Sequence, residues 1–183
     1  MTARKVGAMY TPNNTDAKPL DQVLTVDTGD HTGWAFWTTA SVKEPAMYGQ
    51  ITLPRRKVKW SMEMELSYMW DQFAQIWEKL LTLGYGRPLD VVLESLEHWG
   101  TDEASLAAIR SGKLFKLAYL IGGYAHVSRH LCASVHLVKA REWKGQMDKD
   151  ATKIRVRMAI GKEFGSSHVT DAIGMGLSLM GKL

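Results

Sequence analysis

The stretch VDTGDHTGWAFW, residues 26–37, sets two short apolar runs on either side of a turn that holds two acids, a histidine and two glycines. Asp27 closes the run VLTV (23–26), and GWAFWTTA (33–40) opens beyond the turn. Apolar runs rich in β-branched and aromatic residues around Thr28, Gly29 and Gly33 read as two strands joined by a short turn. A carboxylate at the end of a buried strand is costly unless it caps backbone amides or meets a cation. The first alternative makes Asp27 a turn residue. The second makes it a metal ligand and requires further oxygen or imidazole ligands elsewhere in the chain.

Working outward, MYGQITL (47–53) is a third run of the same kind, so the three read as an antiparallel meander. From Val58 the period changes: Met62, Leu66, Met69, Phe73, Ile76 and Leu80 recur at three- and four-residue steps until Gly84 and Gly86. Trp70 and Trp77 widen that helical stripe, and with Met62 and Phe73 it is broad enough for a subunit contact as well as a core. After Pro88, DVVLE (90–94) reads as a buried central strand that again ends in an acid. Thr101, Asp102 and Glu103 open a helical stretch toward His130, with candidate breaks at Gly112 and Gly122–Gly123. CASVHLV (132–138) is the fifth strand, and segments near 149–160 and 168–181 read as helical. The expected architecture is α/β: a five-stranded mixed sheet, its first three strands antiparallel, flanked by helices. Residues 1–21, with Pro12, Asn13, Asn14 and Pro19, read as an irregular arm before a single domain spanning 22–183.

The 183 residues are 45% hydrophobic and 23% charged, an ordinary globular balance that excludes a disordered chain. A single cysteine, Cys132, excludes an internal disulfide and a cysteine zinc cluster. There is no apolar run near the roughly 20 residues of a membrane span, and MTARKVGAMYTPNN lacks a signal-peptide core, so the expectation is a soluble intracellular protein. The net charge of +4 and pI near 9.1 are mild, but the cations cluster. PRRKVK (54–59) holds Arg55, Arg56 and Lys57; KAREWKGQMDK (139–149) holds Arg141, Lys144 and Lys149; KIRVR (153–157) is a third cluster. Trp60 and Trp143 lie beside two of these runs, a mixture suited to phosphate contact with base stacking.

If the strands ending at Asp27 and Glu94 are neighbours, both carboxylates project to one edge of the sheet, where such folds gather their chemistry. His168 and Asp171, three residues apart, share one face of a helix. Three carboxylates and an imidazole are a donor set for a divalent metal.

On these residues the chain resembles the RuvC family of Holliday-junction resolvases, above all its bacteriophage-type members. The resemblance is carried by DTGDHTGWA (27–35), VLE (92–94), WKGQMDK (143–149) and HVTDA (168–172), which occur in the family's order from about residue 22 onward. It implies an RNase H-like fold, a homodimer, and Mg²⁺-dependent hydrolysis of branched DNA by paired nicks, with Mn²⁺ as a substitute ion. For a phage-encoded member the compartment implied is the bacterial cytoplasm. Asp27 matches the first-strand acid, Glu94 the fourth-strand acid and Asp171 the final helical acid. His168 matches a position occupied by Asp or His. Lys149 and Lys144 match basic residues near the scissile phosphate or DNA backbone. Family members often carry an aromatic three residues after the fourth-strand acid, to stack on an opened base; this chain has Glu97 there, with His98 and Trp99 as nearby substitutes.

The chemistry is consistent with that set. Phosphodiester cleavage needs an activated water and neutralised phosphorane charge, which two ions roughly 4 Å apart supply. In this reading Asp27 bridges the ions, Glu94 shares one, His168 and Asp171 hold the other, and Lys149 offsets phosphate charge. Two rival readings remain at this level. The turn DTGDHTG also resembles the phosphate hairpin of actin-like ATPases and sugar kinases, although the chain has room for one copy of a fold those proteins duplicate. The other rival is a non-catalytic binder of branched DNA.

Overall fold

The computed structural model describes residues 22–183 apart from 42, 56–58, 87, 89 and 97–102. The arm 1–21, Arg56, Lys57, Glu97, His98 and Trp99 lie outside the described residues.

The strands are β1 (Val23–Asp27), β2 (His31–Trp37), β3 (Met47–Thr52), β4 (Asp90–Ser95) and β5 (Ser134–Lys139). They form one five-stranded sheet in the order β3-β2-β1-β4-β5. The meander β1–β2–β3 is antiparallel, whereas β4 runs parallel to β1 and β5 parallel to β4. The expected mixed sheet is therefore present. β2 starts at His31, two residues earlier than the apolar run suggests, because Thr32 and His31 still pair with β3.

The helices are α1 (Met62–Thr82), α2 (Glu103–Arg110), α3 (Lys113–His130), α4 (Ala140–Lys144), α5 (Lys149–Ile160) and α6 (Ser167–Leu179). Side chains alternate across a strand, which sorts the core into two layers. Leu24, Val26, Phe36, Val91 and Leu93 meet α1 and α3 on one face. Val23, Ala35, Trp37, Val92 and Val138 meet α6, α5 and α4 on the other. By that alternation Asp27 and Glu94 point toward α6.

One expectation changes, and two stretches are defined more closely. The apolar stripe of α1 is core rather than subunit surface: Phe73 and Trp77 are 0% and 1% exposed, and only Met62 of the four stands well out. The helical stretch breaks at Gly112, whose φ of +73° suits a glycine, and runs through Gly122–Gly123. A Cβ on Gly123 would lie 1.9 Å from Trp70 Nε1, so the missing side chain lets α1 and α3 pack closely. The basic stretch 139–149 carries the short helix α4 directly after β5. Among the described residues no helix is long and apolar enough to cross a membrane.

Candidate active site

The parallel register pairs Val26 with Leu93, so Asp27, the last residue of β1, and Glu94, the last but one of β4, follow side by side at the same end of the sheet. Thr28 Oγ1 donates to the Glu94 carbonyl at 2.7 Å and ties the two strand ends together. α6 packs across β1 and β2 beside them. Its register on β1 is set by Thr25, whose buried hydroxyl donates to the Ala172 carbonyl at 2.7 Å and accepts from Trp37 Nε1 at 3.2 Å. Its approach depends on Gly33: a Cβ there would stand 2.0 Å from the His168 carbonyl oxygen. Ser166 caps the helix by accepting from Val169 N, and the first turn carries His168 inward.

These contacts bring the four candidate ligands to one sheet edge. His168 Nδ1 lies 2.7 Å from Asp27 Oδ2. Lys144 Nζ stands 3.7 Å from Asp171 Oδ2 and over the Trp143 ring, 5.1 Å from its centre. Trp143 Nε1 donates to Glu94 Oε2 at 2.9 Å. Asp27 and Asp171 are buried, at 6% and 7% exposure. His31, at the start of β2, approaches His168 with ring centres 5.8 Å apart.

Charge is crowded here. Burial and then repulsion from Asp27 push the Glu94 carboxyl up to about 7, against the Trp143 hydrogen bond and the Lys144 charge. Burial also raises Asp171, with Asp27 adding repulsion and Lys144, Lys149 and His168 opposing it. His168 is raised chiefly by its bond to Asp27, with desolvation pulling the other way. Three carboxylates forced together in a partly dry site gain most from a divalent cation, and their oxygens are the hard donors Mg²⁺ takes. As the side chains stand, no group of three or more His, Cys, Asp and Glu among the described residues forms a ready cage, and His168 and Asp27 spend one donor atom on each other. The donor chemistry fits a hard divalent ion.

No protein-family model matches the chain, and no curated protein matches it. Solved structures do. Thermus thermophilus RuvC in complex with a Holliday junction substrate aligns with a TM-score of 0.62 at 12% identity, over 86% of this chain and 91% of that one. Thermus thermophilus RuvC alone aligns at 0.56 and 16% identity, over 85% and 91%. This is the RuvC fold. The yeast mitochondrial Holliday junction resolvase Ydc2 shares it at a TM-score of 0.52 and 12% identity, over 91% of this chain and 81% of that one.

Within that RuvC-like fold, His168 contacts Asp27 directly, and Glu94 and Asp171 lie near enough to Asp27 to feel its charge. Lys149, exposed at the start of α5, acts electrostatically on His168 and Asp171, and Lys144 is half-buried beside Asp171. Arg141 and Arg55 are exposed. Trp143 corrects the reading of the basic run as a stacking surface: at 3% exposure it is packed with Val92, Val138 and Met175, and no base reaches its ring. Its task is to donate to Glu94. That role and the Thr28 tie were missed, although both residues stand inside motifs the sequence displays; a buried acid needs donors, and these are the nearest ones.

Proposed function

We propose that the chain is a divalent-metal-dependent endonuclease that resolves four-way DNA junctions, and cuts other branched DNA, by paired phosphodiester hydrolysis as a homodimer. The observation that carries this reading is the convergence of Asp27, Glu94, His168 and Asp171, from two parallel strand ends and one helix face, beside Lys144 and Lys149. Asp27, Glu94, His168 and Asp171 would hold the ions. When bound, Mg²⁺ supplies an activated water and Lewis-acid neutralisation of the phosphate. Trp143 keeps the charged form of Glu94 available, and Lys144 restrains Asp171. Lys149 faces outward to offset phosphate charge. Arg141 and Arg55, with Arg56, Lys57 and Trp99, complete the candidate DNA contacts.

Two coordinated nicks need two sites related by a two-fold axis. With the α1 stripe buried, the outer face of α3 is the surface for a second copy. Phe115 and Tyr119 are 59% and 57% exposed, and one turn further on, Tyr119, Gly122, Gly123 and His126 line a cavity of about 330 Å³ floored by Trp70. Trp70 Nε1 is buried without a hydrogen-bond partner. A projecting ring and a groove on one helix face are self-complementary, which an isologous contact requires.

The test incubates the protein with a four-way junction, a flap, a fork and a linear duplex, in Mg²⁺ and in chelator. Symmetric, metal-dependent nicks in the junction support the reading, and Asp27→Asn should abolish them while leaving junction binding intact. Equal loss of binding and cleavage in that variant refutes the ligand assignment.

A further inference from the structure

The motif around Asp27 contains Thr32, which neither the ligand set nor the DNA surface employs. Thr32 is wholly buried at the start of β2, one residue before Gly33. Its hydroxyl lies 3.0 Å from the Gly29 carbonyl and 3.0 Å from Tyr124 Oη. A carbonyl only accepts, so Thr32 donates its single proton to Gly29; it must then accept from Tyr124. The direction of the relay is thereby determined: Tyr124 to Thr32 to Gly29, two residues past Asp27. Tyr124 is also wholly buried, its ring 4.4 Å from that of Phe73, so the donor end is anchored in the packed α1–α3 layer. Two turns earlier on α3, Lys116 Nζ binds Asp30 Oδ1 of the same turn at 2.5 Å and Glu65 Oε2 of α1 at 2.6 Å. α3 therefore holds the β1–β2 turn from beneath, through the relay, and from its exposed side, through the ion pair.

We propose that Tyr124, acting through Thr32, is a positioning residue for Asp27. The relay fixes the turn that follows Asp27, so the carboxylate is held in place before a cation arrives. Ordering a ligand during folding removes that cost from the binding step. The proposal rests on reading Asp27 as a metal ligand.

The test compares wild-type protein with Tyr124→Phe, Thr32→Val and Thr32→Ser. Each is examined by Mn²⁺ calorimetry, by junction cleavage against Mg²⁺ concentration, by junction affinity in chelator and by thermal melting. Tyr124→Phe and Thr32→Val should weaken Mn²⁺ binding and raise the half-saturating Mg²⁺ about three- to tenfold, the equilibrium equivalent of one hydrogen bond. Cleavage at saturating metal and junction affinity in chelator should stay at wild-type level. Thr32→Ser keeps the hydroxyl and should keep the wild-type metal dependence. Lower melting temperatures with an unchanged metal midpoint in both disabling variants would make the relay merely structural and overturn the proposal. Mn²⁺ binding that is the same in wild type and Asp27→Asn overturns the ligand reading instead, and the positioning role with it.

Discussion

Gly33→Ala is the most exacting test of how the site is assembled. The added Cβ would stand 2.0 Å from the His168 carbonyl oxygen, 2.2 Å from its carbon and 2.6 Å from Val169 N. All three are backbone atoms, so no rotamer change relieves the clash. Side-chain carbons essentially never approach closer than 3.0 Å, so the gap between β2 and the start of α6 must open by at least 1 Å. Overpacking of this kind costs about 1–3 kcal/mol, a fall in melting temperature of roughly 2–12 °C for a domain of this size. The movement falls on the segment that presents His168 to Asp27 at 2.7 Å. A displacement of about 1 Å at reacting groups costs on the order of 10²-fold in rate. Gly33→Ala should therefore lose most junction cleavage at a temperature where circular dichroism shows it fully folded, while its junction affinity in chelator is retained. Wild-type melting and wild-type cleavage together would refute the close approach of α6 to β2 as the basis of the site.

Trp143→Phe retains the buried ring but removes the donor to Glu94, so the Glu94 carboxyl should rise above about 7 and the acid limb of the cleavage pH profile should move to higher pH; an unmoved limb would refute the pairing. Glu94→Gln should abolish cleavage yet stabilise the metal-free fold at pH 8. The raised folded pKa penalises the ionised form, so stability falls as pH rises from about 4.5 to about 7. Urea denaturation in chelator should show a gain on the order of 1–3 kcal/mol at pH 8 and almost none at pH 4.5. For His168 the sign is reversed: its pKa is raised by Asp27, so its stabilising contribution is complete below its ordinary value and disappears as pH climbs through the raised one. His168→Ala should accordingly destabilise the metal-free protein more at pH 6 than at pH 9. Protons compete with metal for the imidazole, so His168→Asp should keep cleavage and extend it to lower pH, and equal metal dependence in wild type, Ala and Asp forms would remove His168 from the site. Tyr119→Glu, on the outer face of α3, should yield monomers by light scattering and uncoordinated single nicks; an intact dimer would place the subunit contact elsewhere.

The strands, the long helices and their order follow from local periodicity, since alternation and 3.6-residue spacing record which side of each element faces the core. The same spacing exposes Asp27 and Glu94 as strand-end acids and puts His168 and Asp171 on one helix face. Their meeting depends on β1 and β4 being parallel neighbours in a particular register, with α6 packed across β1 and β2, and this is a property of the assembled sheet. Burial is likewise decided only there. A tryptophan beside lysines reads the same whether it faces solvent or core, and it is the placement of α4 against β4 and α6 that turns Trp143 inward to Glu94. The α1 stripe exposes the same ambiguity: its width is visible in the sequence, but Phe73 and Trp77 are claimed by the sheet and α3. Thr32 and Gly33 stand together in the motif, yet one is needed for a hydroxyl 92 residues away and the other for a helix backbone that arrives near the chain's end. Sequence spacing carries the short-range constraints; the donors and clearances that make four side chains into a site come from segments far apart in the chain, and only their packing brings them together.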